Sequence, residues 1–300
     1  MKHLIIALML LITISSYGQR EIVMSQYMYN RYSINPGFGG SHDVMSIFGS
    51  YRKQWMGFEG APTTALFTVN TPLKNEKVAL GAQIFNESYA IAANTGFNFS
   101  YTYRLPLNNG SKIGLAVSAG YVNYKTNWND VDIVEQDDLF AMTENSGSPI
   151  FGFGAAMYNS NYFLGLSIPT FLYHDRYITG ENSVDFNKID YLLTAGYLYE
   201  ISDNISLQPS ALLRVNMDDE TFVDVSATAI LLKSLMIGAS YRTVGDIVGM
   251  LGYQITPQLR FTYSLDYSME KIASYNNGTH EVSLQFDFGY KIHSPNPKFF

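Results

Sequence analysis

The side chains best able to do chemistry in this chain are a close run of acids: Asp130, Asp132, Glu135, Asp137, Asp138 and Glu144. Carboxylates so gathered suit a calcium ion, but their order lacks the D-x-D-x-D-G spacing of an EF-hand loop. A solvated loop is the better reading, and neither a metal nor any other cofactor is expected. Histidine offers as little. His3 falls in an expected leader and His174 in an expected loop, while His42, His280 and His293 have no partners at metal or triad spacing. The chain contains no H-E-x-x-H, G-x-S-x-G or G-x-x-x-x-G-K-[ST], the signatures of zinc peptidases, serine hydrolases and P-loop proteins. Gly37-Phe38-Gly39-Gly40 and Gly152-Phe153-Gly154 lack the G-x-G-x-x-G frame and read as turn and strand glycines. A hydrolase built from distant strands stays open, because triads are set by geometry and not by sequence order. Replacement of His280 would test it. The expectation is a protein that is not an enzyme.

The elements that would position such residues are strands. Successive side chains of a strand point to opposite faces, and the chain alternates accordingly. Phe97, Phe99, Tyr101, Tyr103 and Leu105 share one face, with Asn98, Ser100, Thr102 and Arg104 on the other. Leu259, Phe261, Tyr263, Leu265 and Tyr267 oppose Arg260, Thr262, Ser264 and Asp266. Val282, Leu284, Phe286, Phe288 and Tyr290 oppose Glu281, Ser283, Gln285, Asp287 and Gly289. Such segments number about fourteen, near 44–55, 63–70, 77–88, 94–105, 111–125, 149–159, 161–169, 190–200, 204–215, 221–231, 234–242, 246–254, 258–268 and 279–290. Many run to about 9–11 residues, enough to cross a bilayer when tilted, and their ends carry Tyr and Phe suited to interfacial girdles. Every second connection is short, whereas 126–148, 170–189 and 269–278 are long, the asymmetry of periplasmic turns and external loops. A soluble sandwich alternates too, but its apolar face would turn inward. If the last hairpin is centred between Ala273 and Ser274, Arg260 lies opposite Asp287 on the inner face.

Composition and the first residues agree with export to a membrane. Charged residues make up 15% of the chain, against about 25% in soluble domains. Lys2 and His3, the apolar run Leu4 to Ile14 and Ser16-Tyr17-Gly18 read as a signal peptide over residues 1–18. That run is too short for a spanning helix, and no later stretch is long enough for one. With no cysteine the chain forms no disulfide and carries no lipid on sulfur. A net charge of −7 without a basic run argues against nucleic acid as a partner. The fold class expected is all-β: a transmembrane antiparallel barrel over residues 44–290, within a single domain 19–300. A periplasmic tail 291–300 would follow. Residues 19–43, with Tyr27, Met28, Tyr29, Tyr32 and Phe38, are too apolar for a free tail. They are expected in the lumen or at the barrel mouth, or docked on a periplasmic protein, with the lumen preferred.

Two blocks say more than the alternation does. Ser25-Gln26-Tyr27-Met28-Tyr29-Asn30 is followed by Ile34-Asn35-Pro36-Gly37-Phe38-Gly39-Gly40-Ser41, and then by Tyr51-Arg52-Lys53-Gln54-Trp55-Met56-Gly57-Phe58-Glu59-Gly60-Ala61-Pro62-Thr63-Thr64. Together with Asn276-Asn277-Gly278-Thr279-His280-Glu281 and the terminal Pro297-Lys298-Phe299-Phe300, they resemble the PorP/SprF family of type IX secretion system membrane proteins. Gly37-Phe38-Gly39 stands where an Ala-Tyr-Ala type of stretch is commoner in that family. The resemblance implies an outer-membrane component of the Bacteroidetes secretion and gliding apparatus. Its partners would be outer-membrane lipid and either a secreted adhesin, through the C-terminal signal domain, or the periplasmic ring components. Arg52, Lys53, Trp55, Phe58 and Glu59 are expected at the external end of the first strand. Trp and Arg are favoured binding anchors, and Gly57, Gly60 and Pro62 would fix the turn there. With Tyr27, Tyr29, Asn35 and Pro36 they are the candidate partner-binding residues. A girdle Trp and a structural turn explain the first group equally well. From the barrel alone, a channel for small apolar solutes is the alternative function.

Overall fold

The computed structural model describes residues 24–128, 143–171, 173–174, 182–183, 185–219 and 221–289. The expected signal segment 1–18, the tail 291–300 and the acids Asp130, Asp132, Glu135, Asp137 and Asp138 lie outside them.

Fourteen antiparallel strands form one closed sheet. They are β1 (Met45–Lys53), β2 (Thr63–Pro72), β3 (Val78–Tyr89), β4 (Ala92–Pro106), β5 (Lys112–Asn127), β6 (Thr143–Tyr158) and β7 (Tyr162–Ile168). There follow β8 (Tyr191–Tyr197, resumed at Tyr199–Ser202), β9 (Ile205–Val215), β10 (Phe222–Leu231) and β11 (Leu235–Arg242). The last three are β12 (Asp246–Gln254), β13 (Leu259–Ser268) and β14 (Thr279–Phe288). Each strand pairs with its neighbours in sequence, and β1 pairs with β14. Closure leaves no edge strand, so backbone polar groups are satisfied within the wall wherever neighbouring strands run side by side, as β6 and β7 do over Phe153–Tyr158. No helix among the described residues is long and apolar enough to cross a membrane; the chain crosses with strands.

The wall is apolar outside and polar inside. Phe99, Leu166, Val117 and Leu251 are half exposed or more, whereas Thr68, Thr102, Ser118, Thr194, Thr228 and Ser264 are buried. Burying hydroxyls while exposing large apolar side chains inverts the arrangement of soluble domains, and it suits lipid outside. Two sequence expectations change. Arg260 lies opposite Gln285, not Asp287, because the β13–β14 loop is asymmetric: the Asn277 N–H is drawn to Met56 O on the neighbouring loop at 2.8 Å. In addition β6 begins at Thr143 and pairs with β5 as far as Asn127, so these strands outrun their apolar stretch. Polar side chains are tolerated there because a strand beyond the hydrocarbon meets water on its outer face.

The lumen is filled by the segment preceding β1. Residues 24–41 are buried apart from the half-buried Ser33, and they make two 3-10 turns, Arg31–Ser33 and Pro36–Phe38. Pro36 at the start of the second turn has its φ preset, and the Asn35 carboxamide accepts the Gly37 N–H at 2.8 Å. Tyr27, Met28, Tyr29, Ile34 and Phe38 pack with inward residues of the wall, among them Phe163, Leu212, Phe222 and Met236.

Candidate functional site

Three stretches far apart in the sequence meet where β14 closes on β1. Arg52 projects inward from β1, with 3% of its surface exposed. Its guanidinium reaches Asp266 of β13 at 2.7 Å, Glu281 of β14 at 3.1 Å and the Ser25 hydroxyl of the plug at 2.6 Å. The Ser25 N–H also donates to Glu281 at 2.9 Å. Next to it, the Gln26 carboxamide donates to Glu281 O and accepts from Ser283 at 2.7 Å and from Thr262. One cation thus faces two buried carboxylates, and the plug backbone takes part in neutralising them. Farther along the wall, Arg242 pairs with Asp224 at 3.0 Å, and Arg214 with Asp190 and Asp219 at 2.9 and 3.0 Å.

The loop that leaves β1 stands on this cluster. Trp55 has φ +42, an unusual conformation for a bulky residue and one that costs on the order of 1 kcal/mol or more. It is held by the Trp55 N–H to the Thr279 hydroxyl at 3.2 Å and by Met56, which exchanges 2.8 Å backbone bonds with Gly278 O and the Asn277 N–H. Gly57 and Gly60 take φ +95 and +71, where glycine alone is unstrained. Residues 54–62 and 269–278 therefore form one platform. Phe58 and Tyr275 stand exposed on it, at 49% and 74%.

The far end of the plug is tied to the opposite wall. Asn35 donates to Ala155 O and Leu166 O at 3.1 and 3.2 Å, Ser167 to Ile34 O at 2.7 Å, and Thr102 to Pro36 O at 2.8 Å. A Cβ at Gly114 would run into the Gly37 carbonyl, so the close approach requires glycine there. Arg31 lies over the Phe163 ring, 4.5 Å from its centroid. Tyr32 bonds Ser100 at 2.8 Å. Burial pushes its phenol up to about 12, the Ser100 bond acting the other way, so it stays neutral at ordinary pH.

The nine candidate residues therefore divide. Phe58 and Glu59 are exposed, and Lys53 and Trp55 are half-buried beside them. Arg52 is buried beneath that loop, and Tyr27, Tyr29, Asn35 and Pro36 are buried in the lumen. Asp266, Glu281 and Ser25 were not foreseen as members of this cluster; the inward parity of the strands was the available signal. His42, which has no partner at metal or triad spacing in the sequence, lies 3.2 Å from Asp287, and His280 bonds the Tyr263 hydroxyl at 2.6 Å. Among the described residues no group of three or more His, Cys, Asp or Glu is placed to hold a metal ion.

Comparison with known proteins places this geometry. The P. putida toluene transporter TodX superposes with TM-score 0.51 at 8% identity, covering 90% of this chain and 95% of its own. The CymD monoaromatic hydrocarbon channel gives 0.52 at 10% identity, over 91% and 95%. Omp33 of Acinetobacter baumannii gives 0.47 at 13% identity, over 82% and 98%. At these identities the first two support the outer-membrane barrel fold and nothing finer. No curated protein matches the chain. The family model for the type IX secretion system membrane protein PorP/SprF matches residues 16–286, so the chain belongs to the PorP/SprF family and is an outer-membrane β-barrel component of type IX secretion.

Proposed function

We propose that this barrel is a non-enzymatic holder for a secreted surface adhesin, which it engages through that protein's C-terminal signal domain at the external rim. The observation that carries the reading is the convergence of the family blocks. Ser25, Arg52, Glu281 and the Met56–Asn277 bridge join the plug to the platform of residues 54–62 and 269–278. Partner contact is assigned to Lys53, Trp55, Phe58 and Glu59, since an aromatic edge beside charged groups is the usual makeup of a binding anchor. Arg52, Tyr27, Tyr29, Asn35 and Pro36 act behind them as positioning residues. A filled lumen weighs against passage of small apolar solutes.

The test is a mild-detergent pull-down of the tagged barrel from its native outer membrane, read by mass spectrometry. Recovery of a large surface protein, reduced at least tenfold by Trp55→Ala with Phe58→Ala, supports the proposal. Periplasmic ring subunits in its place would move the contact to the turns on the other side. A barrel recovered alone that conducts solutes would replace it with the channel reading.

A further inference from the structure

The outer wall is indented on β3 to β5, where a cavity of about 790 Å³ is lined by Ala82, Ile84, Phe97, Phe99 and Tyr121. That volume lies within the about 300–1,000 Å³ range of small-molecule sites. Tyr121 leans over Gly147 of β6, where any Cβ would meet its ring. Among the outward side chains of the lining, Ala82 is the smallest. Phe97 and Phe99 pack edge-to-face at 5.7 Å along one side.

The chemistry of the wall changes abruptly at this height. Ile84, Phe97 and Tyr121 are register partners across three strands, and the next outward row is Asn86, Thr95 and Asn123. Thr95 and Asn123 line the cavity as well, and Asn86 donates to Thr95 at 2.7 Å. One further step brings Lys125, which is exposed. Apolar floor, hydrogen-bonding rim and cation follow one another in the order of an acyl chain, its polar linkage and an anionic head. The rows lie toward the β3–β4 and β5–β6 connections, on the same side as the longest loops, and hence in the outer leaflet.

We propose that this cavity binds a phosphorylated, acylated glucosamine lipid of the outer leaflet, that is, the lipid A class. One acyl chain lies against Phe97, Phe99 and Tyr121. Its ester or amide linkage meets Thr95 and Asn123, and a phosphate meets Lys125. The site is independent of the platform that carries the adhesin reading.

Native mass spectrometry of the detergent-solubilised full-length barrel tests this, with purified lipid A added in one series and phosphatidylglycerol in another. One lipid A per barrel is expected at concentrations where phosphatidylglycerol adducts are at least tenfold fewer. Ala82→Trp fills the hollow and should abolish the adduct, and Lys125→Glu should weaken it about tenfold. Heat-dependent gel mobility reports that each variant is folded. Should the tryptophan variant misfold, Asn123→Leu replaces it, with the same loss expected. Lipid A retained undiminished by the folded variants overturns the site, and equal retention of phosphatidylglycerol overturns the choice of lipid.

Discussion

Replacing Arg52 by Met removes the cation that, among the described residues, pairs with both Asp266 and Glu281. Two buried carboxylates then stand against each other, and breaking such a pair from one side costs about 3–5 kcal/mol. The unfolding free energy of Arg52→Met in detergent should fall by about that amount, with the denaturant midpoint moving down accordingly. The triple variant with Asp266→Asn and Glu281→Gln should recover most of it, since neutral amides need no counter-charge. If the triple variant were no better than the single, the loss would belong to packing of the long side chain and not to charge. Arg52 was identified from its sequence block, but its role was not legible. Partner anchors and buried structural arginines look alike in sequence, and its two carboxylate partners lie more than two hundred positions away. Strand parity does carry part of the answer: Arg52, Asp266 and Glu281 all occupy inward positions once the strands are placed.

The strands themselves were legible because alternation is a local signal. All fourteen expected segments correspond to observed strands, and the limits agree best where the apolar face continues to the end, as in Asp246–Gln254. Agreement fails at β6, where Asn145, Ser146 and Gly147 continue the ladder without any apolar face. Register in the last hairpin failed for a related reason: a ten-residue loop containing a 3-10 turn at Lys271–Tyr275 need not be symmetric. The plug was legible as apolar and therefore covered, but what covers it is set by bonds to five strands of the wall, β2, β4, β6, β7 and β14. Because these bonds are polar and individually modest, the segment should be separable from the barrel. Deleting residues 24–42 should leave a barrel with heat-dependent gel mobility and an open lumen. Planar bilayers should then show ion conductance at least tenfold above that of the intact chain. Conductance of the intact chain equal to that of the deletion would mean that the segment does not seal the pore.

At the scale of the whole molecule, the inside-out distribution of side chains makes a prediction that a soluble barrel of the same topology would contradict. Val117 is 53% exposed near the middle of the outward run of β5, between Leu115 and Tyr121. Asn145 is exposed on β6, opposite Lys125 in the register and above the last aromatic row. A charged side chain on the lipid face costs about 2–4 kcal/mol at the midplane and about 0–1 near the interface. Reversible unfolding in phospholipid vesicles should therefore place Val117→Arg about 2–4 kcal/mol below the parent and Asn145→Arg within about 1 kcal/mol of it. On a protein bathed in water both would be surface substitutions, expected within about 0.5 kcal/mol of the parent. The contrast between the two positions, and not either value alone, reports the lipid. Folding defects common to any added arginine would lower both equally, whereas a hydrocarbon layer lowers only the one that lies within it.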